Sequence, residues 1–224
     1  MTTSPPPAIR ELPYEQPVEG QNYWLLDNVL VDPDAVRQRC LAKTDWLIGF
    51  PRKPESWPGM RAIPALTPEE LDHIETWVKQ VTKVEKLWVE SAPGGARLNH
   101  NCVQLVGARE AQARPHTDSR SLCRYAGVLY LNPGVPEQCG TSFYRQRMAG
   151  GKPGGNVVAD PYHNLVEALG SRFVPQGSFV EDVRVPHRFN RLLLYRANLI
   201  HSATAYWGTE PMDRRMAAVF FWMA

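Results

Sequence analysis

Residues 114–132 read "RPHTDSRSLCRYAGVLYLN". The stretch joins two signals. Its second half is a run of β-forming residues in which Val128, Tyr130 and Asn132 share one face and Leu129 and Leu131 the other. Its first half sets His116 and Asp118 two residues apart. In extended backbone both side chains project to one side, while Thr117 points away.

Outward from this stretch the same texture continues. From about residue 85 short β-like segments alternate with turns: "KLWVES", "ARLNHNCVQLVG", "GTSFYRQR", "NRLLLYRANLIHSA" and "RRMAAVFFWM". Only residues 160–172 read as helix in this half. Upstream, Asp32 caps a helix that opens at Pro33 and runs through "DAVRQRCLA". Thr67-Pro68-Glu69-Glu70 forms a capping box for a second helix, to about residue 83, with Leu71, Ile74, Trp77, Val78 and Val81 on one face.

The pattern predicts a mostly β fold with flanking α: a sandwich or jelly roll braced by N-terminal helices, in one domain over residues 1–224. Its parts are an extended proline-rich lead-in (1–20), a helical support (21–85) and a β core (86–224) with an insertion at about 145–190. "IGFPRKPESWPGMRAIP" is expected to be irregular loop, and "RMAGGKPGGNVVADPYH" mobile; the latter and "SWPGMRA", residues 56–62, are candidate lids.

The chain has 224 residues, 43% of them hydrophobic and 21% charged, enough for a packed core. Its 25 basic and 23 acidic residues nearly cancel, which gives no reason to expect nucleic acid or an anionic membrane as partner. Cys40, Cys102, Cys123 and Cys139 form no CxxC pair. The opening "MTTSPPPAIRELPYEQP" lacks the basic start and apolar run of a signal peptide, and no apolar stretch is long enough for a bilayer. A cytoplasmic protein is the expectation.

A metal needs converging ligands. His116 and Asp118 supply two, and His201, in the apolar "LLLYRANLIHSA", is the best third. Two histidines and a carboxylate on one face of an octahedral ion leave three positions open, as in non-haem iron(II) oxygenases; zinc hydrolases use the same ligand types. Arg215 opens the last apolar strand and can present a fork to a carboxylate, with Arg214 facing the other way. Tyr130 can offer a hydroxyl to the interior. Arg114, Arg120, Arg145 and Arg196 cluster around the proposed mouth. Arg145 is the favoured substrate contact, because "SFYR" should end near the metal. His73, His100, His163 and His187 show no partner pattern.

The order "PHTD", "VLYLN", "CGTSFY", "LLLYRANLIHSA" and "RRMAAVFFW" resembles the iron(II)/2-oxoglutarate-dependent oxygenases, with closest similarity to the prolyl 4-hydroxylase-like branch. The resemblance covers about residues 95–224. It implies a double-stranded β-helix with the metal at its open end and His116, Asp118 and His201 as iron ligands. It implies that Arg215, or Arg214, salt-bridges the far carboxylate of 2-oxoglutarate, and that Tyr130 hydrogen-bonds the same group. Cys139 stands where the family has the first glycine of a "GGT" turn. The implied cofactors are Fe(II), 2-oxoglutarate and O2. The implied reaction is hydroxylation of an unactivated C–H in a small molecule, an amino acid or peptide-like natural-product intermediate. Asp118 argues against a halogenase. A peptidyl or protein hydroxylase and a non-redox jelly-roll metal-binding module are the alternatives.

Overall fold

The computed structural model describes residues 10–91, 99–136, 138–172, 174–175 and 177–224. The first nine residues of the expected lead-in, and residues 96–98 of the segment expected before Asn99, lie outside them.

The strands are β1 (Tyr23–Asp27), β2 (Leu47–Ile48), β3 (Met60–Ala62), β4 (Cys102–Val106), β5 (Tyr125–Tyr130), β6 (Gly140–Gln146), β7 (Phe179–Pro186), β8 (Arg191–Arg196), β9 (His201–Ala203) and β10 (Arg215–Trp222). The helices are α1 (Pro33–Leu41), α2 (Pro68–Thr82) and α3 (Leu165–Leu169). Seven strands form one sheet in the order β1-β8-β5-β10-β4-β3-β2, and three form a second in the order β7-β6-β9. All pairings within the two sheets are antiparallel. This is the two-sheet jelly roll expected from the β texture.

Each face of the large sheet has its own work. Val103, Leu105, Leu129, Leu131, Met216 and Phe220 point outward onto Val36, Cys40, Ile74 and Val78 of α1 and α2. Cys102, Val128, Tyr130, Ala217 and Val219 point inward against Phe143 and Val185 of the small sheet. The alternation read in residues 128–131 is therefore the division between helical brace and interior. Both helices start as expected. The Asp32 side chain accepts from Ala35 N, and Thr67 and Glu70 form the capping box.

Four expectations need correction. The proline-rich 48–64 segment is not simply irregular: it holds Ile48 of β2 and all of β3, and these strands extend the large sheet beyond β4. These strands are too short for periodicity to reveal. The 145–190 insertion holds β7, whose partner is β6. Its charged Glu181, Asp182 and Arg184 suit an edge strand and hide the pattern. Helix α3 is five residues long, shorter than expected. "KLWVES" contributes isolated bridge residues rather than a strand: Trp88, which pairs with Met223, and Ser91.

The glycine-rich segment is packed rather than free. Gly154, Gly155, Asn156 and Val157 are buried. A Cβ on Gly155 would stand 1.9 Å from the Leu12 carbonyl oxygen. The lead-in is tied down by Leu12 N donating to Gln146 (2.8 Å), and Glu15 N and Pro13 O bonding Asn156.

Asn190 closes the turn into β8 with φ +62°, and its amide both accepts from Leu30 N (2.9 Å) and donates to Leu30 O (2.9 Å) in a buried setting. Asn190→Ala leaves both groups unpaired and strains the turn. It should cost about 2–4 kcal/mol in urea unfolding, whereas a loss within ~0.5 kcal/mol would deny this clamp its role.

Candidate metal centre

The triad is assembled by main chain. His116 N donates to His201 O (3.0 Å) and His201 N to His116 O (2.8 Å), an antiparallel bridge that sets the two residues side by side. His201 in turn pairs with Phe143 of β6. Asp118 N donates to Ala197 O (3.0 Å) and Arg114 N to Ser202 Oγ (2.9 Å). Thr117 points away, as its place in the sequence requires, and its hydroxyl accepts from Leu165 N at the start of α3 (3.0 Å).

His116, Asp118 and His201 each present one ligand atom, and these atoms lie within 4.8 Å of one another. Both imidazoles are oriented alike. Nδ1 of His116 donates to Arg114 O (2.9 Å) and Nδ1 of His201 to Leu199 O (2.8 Å). A carbonyl only accepts, so each ring donates from Nδ1, and in the neutral form the lone pair lies on Nε2. Burial, then the nearby His116, hold His201 well below the usual histidine range, so it is neutral at pH 7.

The Nε2 lone pair of His201 faces Asp118 Oδ2 across 3.6 Å, and Oδ2 has no hydrogen-bond partner. Burial pushes the Asp118 carboxyl up to about 6, against the opposing pull of His116 and Arg61. Two buried acceptors with no proton between them repel. A cation between them removes that repulsion, so this donor set fits a divalent metal.

Arg215 and Tyr130 lie on the inward face of the large sheet. The residue after Arg215 on that face, Ala217, pairs with Tyr130. Arg215 is 5% exposed and its Nε has no partner; its guanidinium stands 5.8 Å over the Tyr206 ring. The Tyr130 hydroxyl donates to Thr141 Oγ1 (2.9 Å) on β6. Arg214 faces the other way. Its Nε and Nη2 donate to Thr209 O (2.9 and 2.7 Å) and its Nη1 meets Glu110 (3.2 Å). Gly140, not the residue before it, carries the turn's demand. It has φ +145°, and a Cβ there would meet Val185 O at 2.1 Å, while Cys139 fits as a buried side chain.

The arginines expected at the mouth are engaged elsewhere. Arg145 lies 3.6 Å over the Tyr14 ring and donates to Gly154 O (2.9 Å). Arg120 pairs with Asp160 (2.9 Å), Arg196 with Glu15 (3.2 Å), and Arg114 donates to Arg172 O (3.2 Å). Sequence reading missed His187, Thr141 and Arg61. His187 packs against Tyr130 (ring centroids 4.6 Å), with Nε2 donating to Asn132 O (2.9 Å). Burial, together with nearby Arg215, drives its pKa down to about 4. Thr141 was in view within "CGTSFY". No partner pattern marked His187.

The two-sheet jelly roll is a double-stranded β-helix, the fold of the 2-oxoglutarate-dependent carbocyclase SnoK and of HygX. The 2-oxoglutarate-dependent carbocyclase SnoK from nogalamycin biosynthesis aligns with 91% of this chain and 80% of its own at 16% identity, TM-score 0.56. HygX from Streptomyces hygroscopicus, solved with nickel and 2-oxoglutarate, aligns with 88% and 81% at 14% identity, TM-score 0.51. A Pseudomonas putida prolyl-4-hydroxylase aligns with 90% and 91% at 15% identity, TM-score 0.45. No curated protein matches the sequence significantly. The chain belongs to the DUF6445 family, a family of unknown function whose model matches residues 7–214. No helix among the described residues is long and apolar enough to cross a membrane.

The raised Asp118 carboxyl gives a signed expectation. The folded, metal-free protein holds this proton more tightly than the unfolded chain, so it loses stability as pH rises from about 4 through about 6. Asp118→Asn should therefore stabilise the metal-free protein by on the order of 2 kcal/mol at pH 8 in urea unfolding with chelator, and by little near pH 4. The same variant should lose divalent-metal binding in calorimetry. Equal metal affinity in variant and parent would remove Asp118 from the site.

Proposed function

We propose that the protein is an iron(II)- and 2-oxoglutarate-dependent oxygenase that hydroxylates an unactivated C–H bond of a small molecule, an amino acid or peptide-like natural-product intermediate. One observation carries the reading: ligand atoms of His116, Asp118 and His201 lie within 4.8 Å of one another, while Arg215, a buried arginine whose Nε has no hydrogen-bond partner among the described residues, is set on the same interior face. A zinc hydrolase has no use for the second feature. The relatives' small-molecule chemistry, as their names state it, accords with this substrate class.

His116, Asp118 and His201 would hold the iron through Nε2, a carboxylate oxygen and Nε2. When bound, iron and 2-oxoglutarate together supply the oxidising power, with dioxygen as oxidant and succinate and carbon dioxide as by-products. The chain's own contributions follow from its geometry. Arg215 receives the far carboxylate of the cosubstrate through charge-assisted hydrogen bonds. Tyr130 keeps its proton, since burial raises its pKa, and so remains a donor that can turn from Thr141 to that carboxylate. His187 is neutral and adds no second charge beside Arg215. Phe143 and Tyr195 pack around His201, with the Tyr195 ring 4.4 Å from the imidazole, and keep bulk water from that side.

Anaerobic addition of 2-oxoglutarate to the iron(II)-loaded protein should produce a metal-to-ligand charge-transfer band, and admission of oxygen should release succinate. Arg215→Ala should weaken 2-oxoglutarate binding by about 100-fold or more, because a buried charged pair loses one partner. Tyr130→Phe should weaken it by only about 2–10-fold, and Arg214→Ala should lower stability while leaving the affinity near parental. Absence of 2-oxoglutarate binding by the iron-loaded parent ends this reading.

A further inference from the structure

A second guanidinium, on the half-buried Arg61, faces the same interior. Arg61 lies on β3 and pairs with Gln104 of β4, in register with Ala217 of β10. Strand alternation sends its neighbours Met60 and Ala62 to the helical side, so Arg61 projects between the sheets, as Cys102 and Ile63 do. Its electrostatic neighbours are Cys102, Asp118 of the triad, Tyr206 and Glu55, and neither carboxylate makes an ion pair with it. Its Nε is shut off from solvent with no partner, and its guanidinium makes no hydrogen bond or ion pair among the described residues.

What holds it is Trp57. The guanidinium carbon stands 4.7 Å from the centre of the indole ring, which stabilises the charge through one face and leaves the N–H edges free. The platform is rigid. Gly49 N donates to Gly59 O (2.8 Å), Phe50 N to Trp57 O (3.0 Å), Gly59 N to Phe50 O (2.9 Å), and Gln104 Nε2 to Pro58 O (2.9 Å). A Cβ on Gly49 would strike the Trp57 ring at 2.5 Å. A desolvated cation costs several kcal/mol unless an anion meets it. Asp118 is not that anion, since the two make no ion pair and Asp118 Oδ2 is itself unpartnered. Arg215 is on another strand, β10, over the Tyr206 ring that is also among Arg61's electrostatic neighbours.

We propose that Arg61, held over the Trp57 ring, is the anchor for a carboxylate of the substrate, which would make the substrate an organic acid. This rests on the proposed oxygenase reading for the word substrate; binding of the anion does not. A guanidinium offers two parallel N–H donors in its plane, and a carboxylate matches that edge in bidentate fashion.

The test uses the full chain loaded with nickel(II) and 2-oxoglutarate, with benzoate as the carboxylate probe and benzamide as its neutral counterpart. Binding is read by tryptophan fluorescence, with Trp57→Phe identifying the responding ring. Saturable benzoate binding without displacement of 2-oxoglutarate is expected, with benzamide at least about tenfold weaker. Arg61→Gln should weaken benzoate by about tenfold or more and leave 2-oxoglutarate affinity within about twofold. Arg61→Lys should restore little, since a point charge lacks the flat fork. Arg61→Met should raise the melting temperature of the ligand-free protein. The proposal is overturned if Arg61→Gln leaves benzoate binding unchanged, if it weakens 2-oxoglutarate as Arg215→Ala does, or if Arg61→Met unfolds the protein. Should the parent fail to bind 2-oxoglutarate, the oxygenase reading falls, and benzoate titration of the metal-free chain and its Arg61→Gln variant still decides whether Arg61 is an anion site.

Discussion

Two main-chain hydrogen bonds between His116 and His201 hold this site together. They join the loop that follows β4 to the short strand β9, and β9 is fixed to β6 by its own ladder. Once that bridge forms, the imidazoles cannot be far apart, and Asp118 follows because its amide is bound to Ala197. The donor set is thus specified by backbone geometry before any metal arrives. The two Nδ1–carbonyl bonds finish the work by fixing which nitrogen carries the lone pair. Pre-positioning of this kind limits the conformational entropy lost on binding.

The interior between the sheets is notable for groups left without partners. Asp118 Oδ2, Arg215 Nε and Arg61 Nε are each buried and unbonded. Such groups cost stability, and folded proteins carry few of them. Here one acceptor faces other lone pairs and two cations sit on the inward face of one sheet, on β3 and β10. The surrounding Leu, Val and Phe side chains keep the dielectric low, which raises both the penalty in the empty protein and the strength of any ionic contact made there. The remaining arginines near the mouth lack this character because each already donates to a carboxylate or a carbonyl.

Much of this was legible in the residues. The His116-x-Asp118 step, the alternation of residues 128–131 and the capping signals of α1 and α2 each depend on local chemistry that a sequence displays directly. The choice between Arg214 and Arg215 was not, because both adjoin the strand start; Glu110, which takes Arg214, comes from a distant loop. Arg61 was hidden for a different reason. It sits on a three-residue strand within a stretch full of proline and glycine, where periodicity has nothing to act on. The packing of residues 154–157 was also invisible, since the glycines that suggest freedom are there to let the Leu12–Pro13 backbone come close.

The position of β10 bears on how the molecule comes into being. It runs between β5 and β4, at the centre of the large sheet, yet it is synthesised after every other strand. Until it emerges from the ribosome, β4 and β5 present open edges with no neighbour on that side. The nascent chain is therefore exposed to mispairing from the completion of β4 and β5 until β10 follows, and closure must wait for contacts between residues far apart in sequence. Chaperone demand and expression yield should depend on this late insertion more than on the helices, which are complete early.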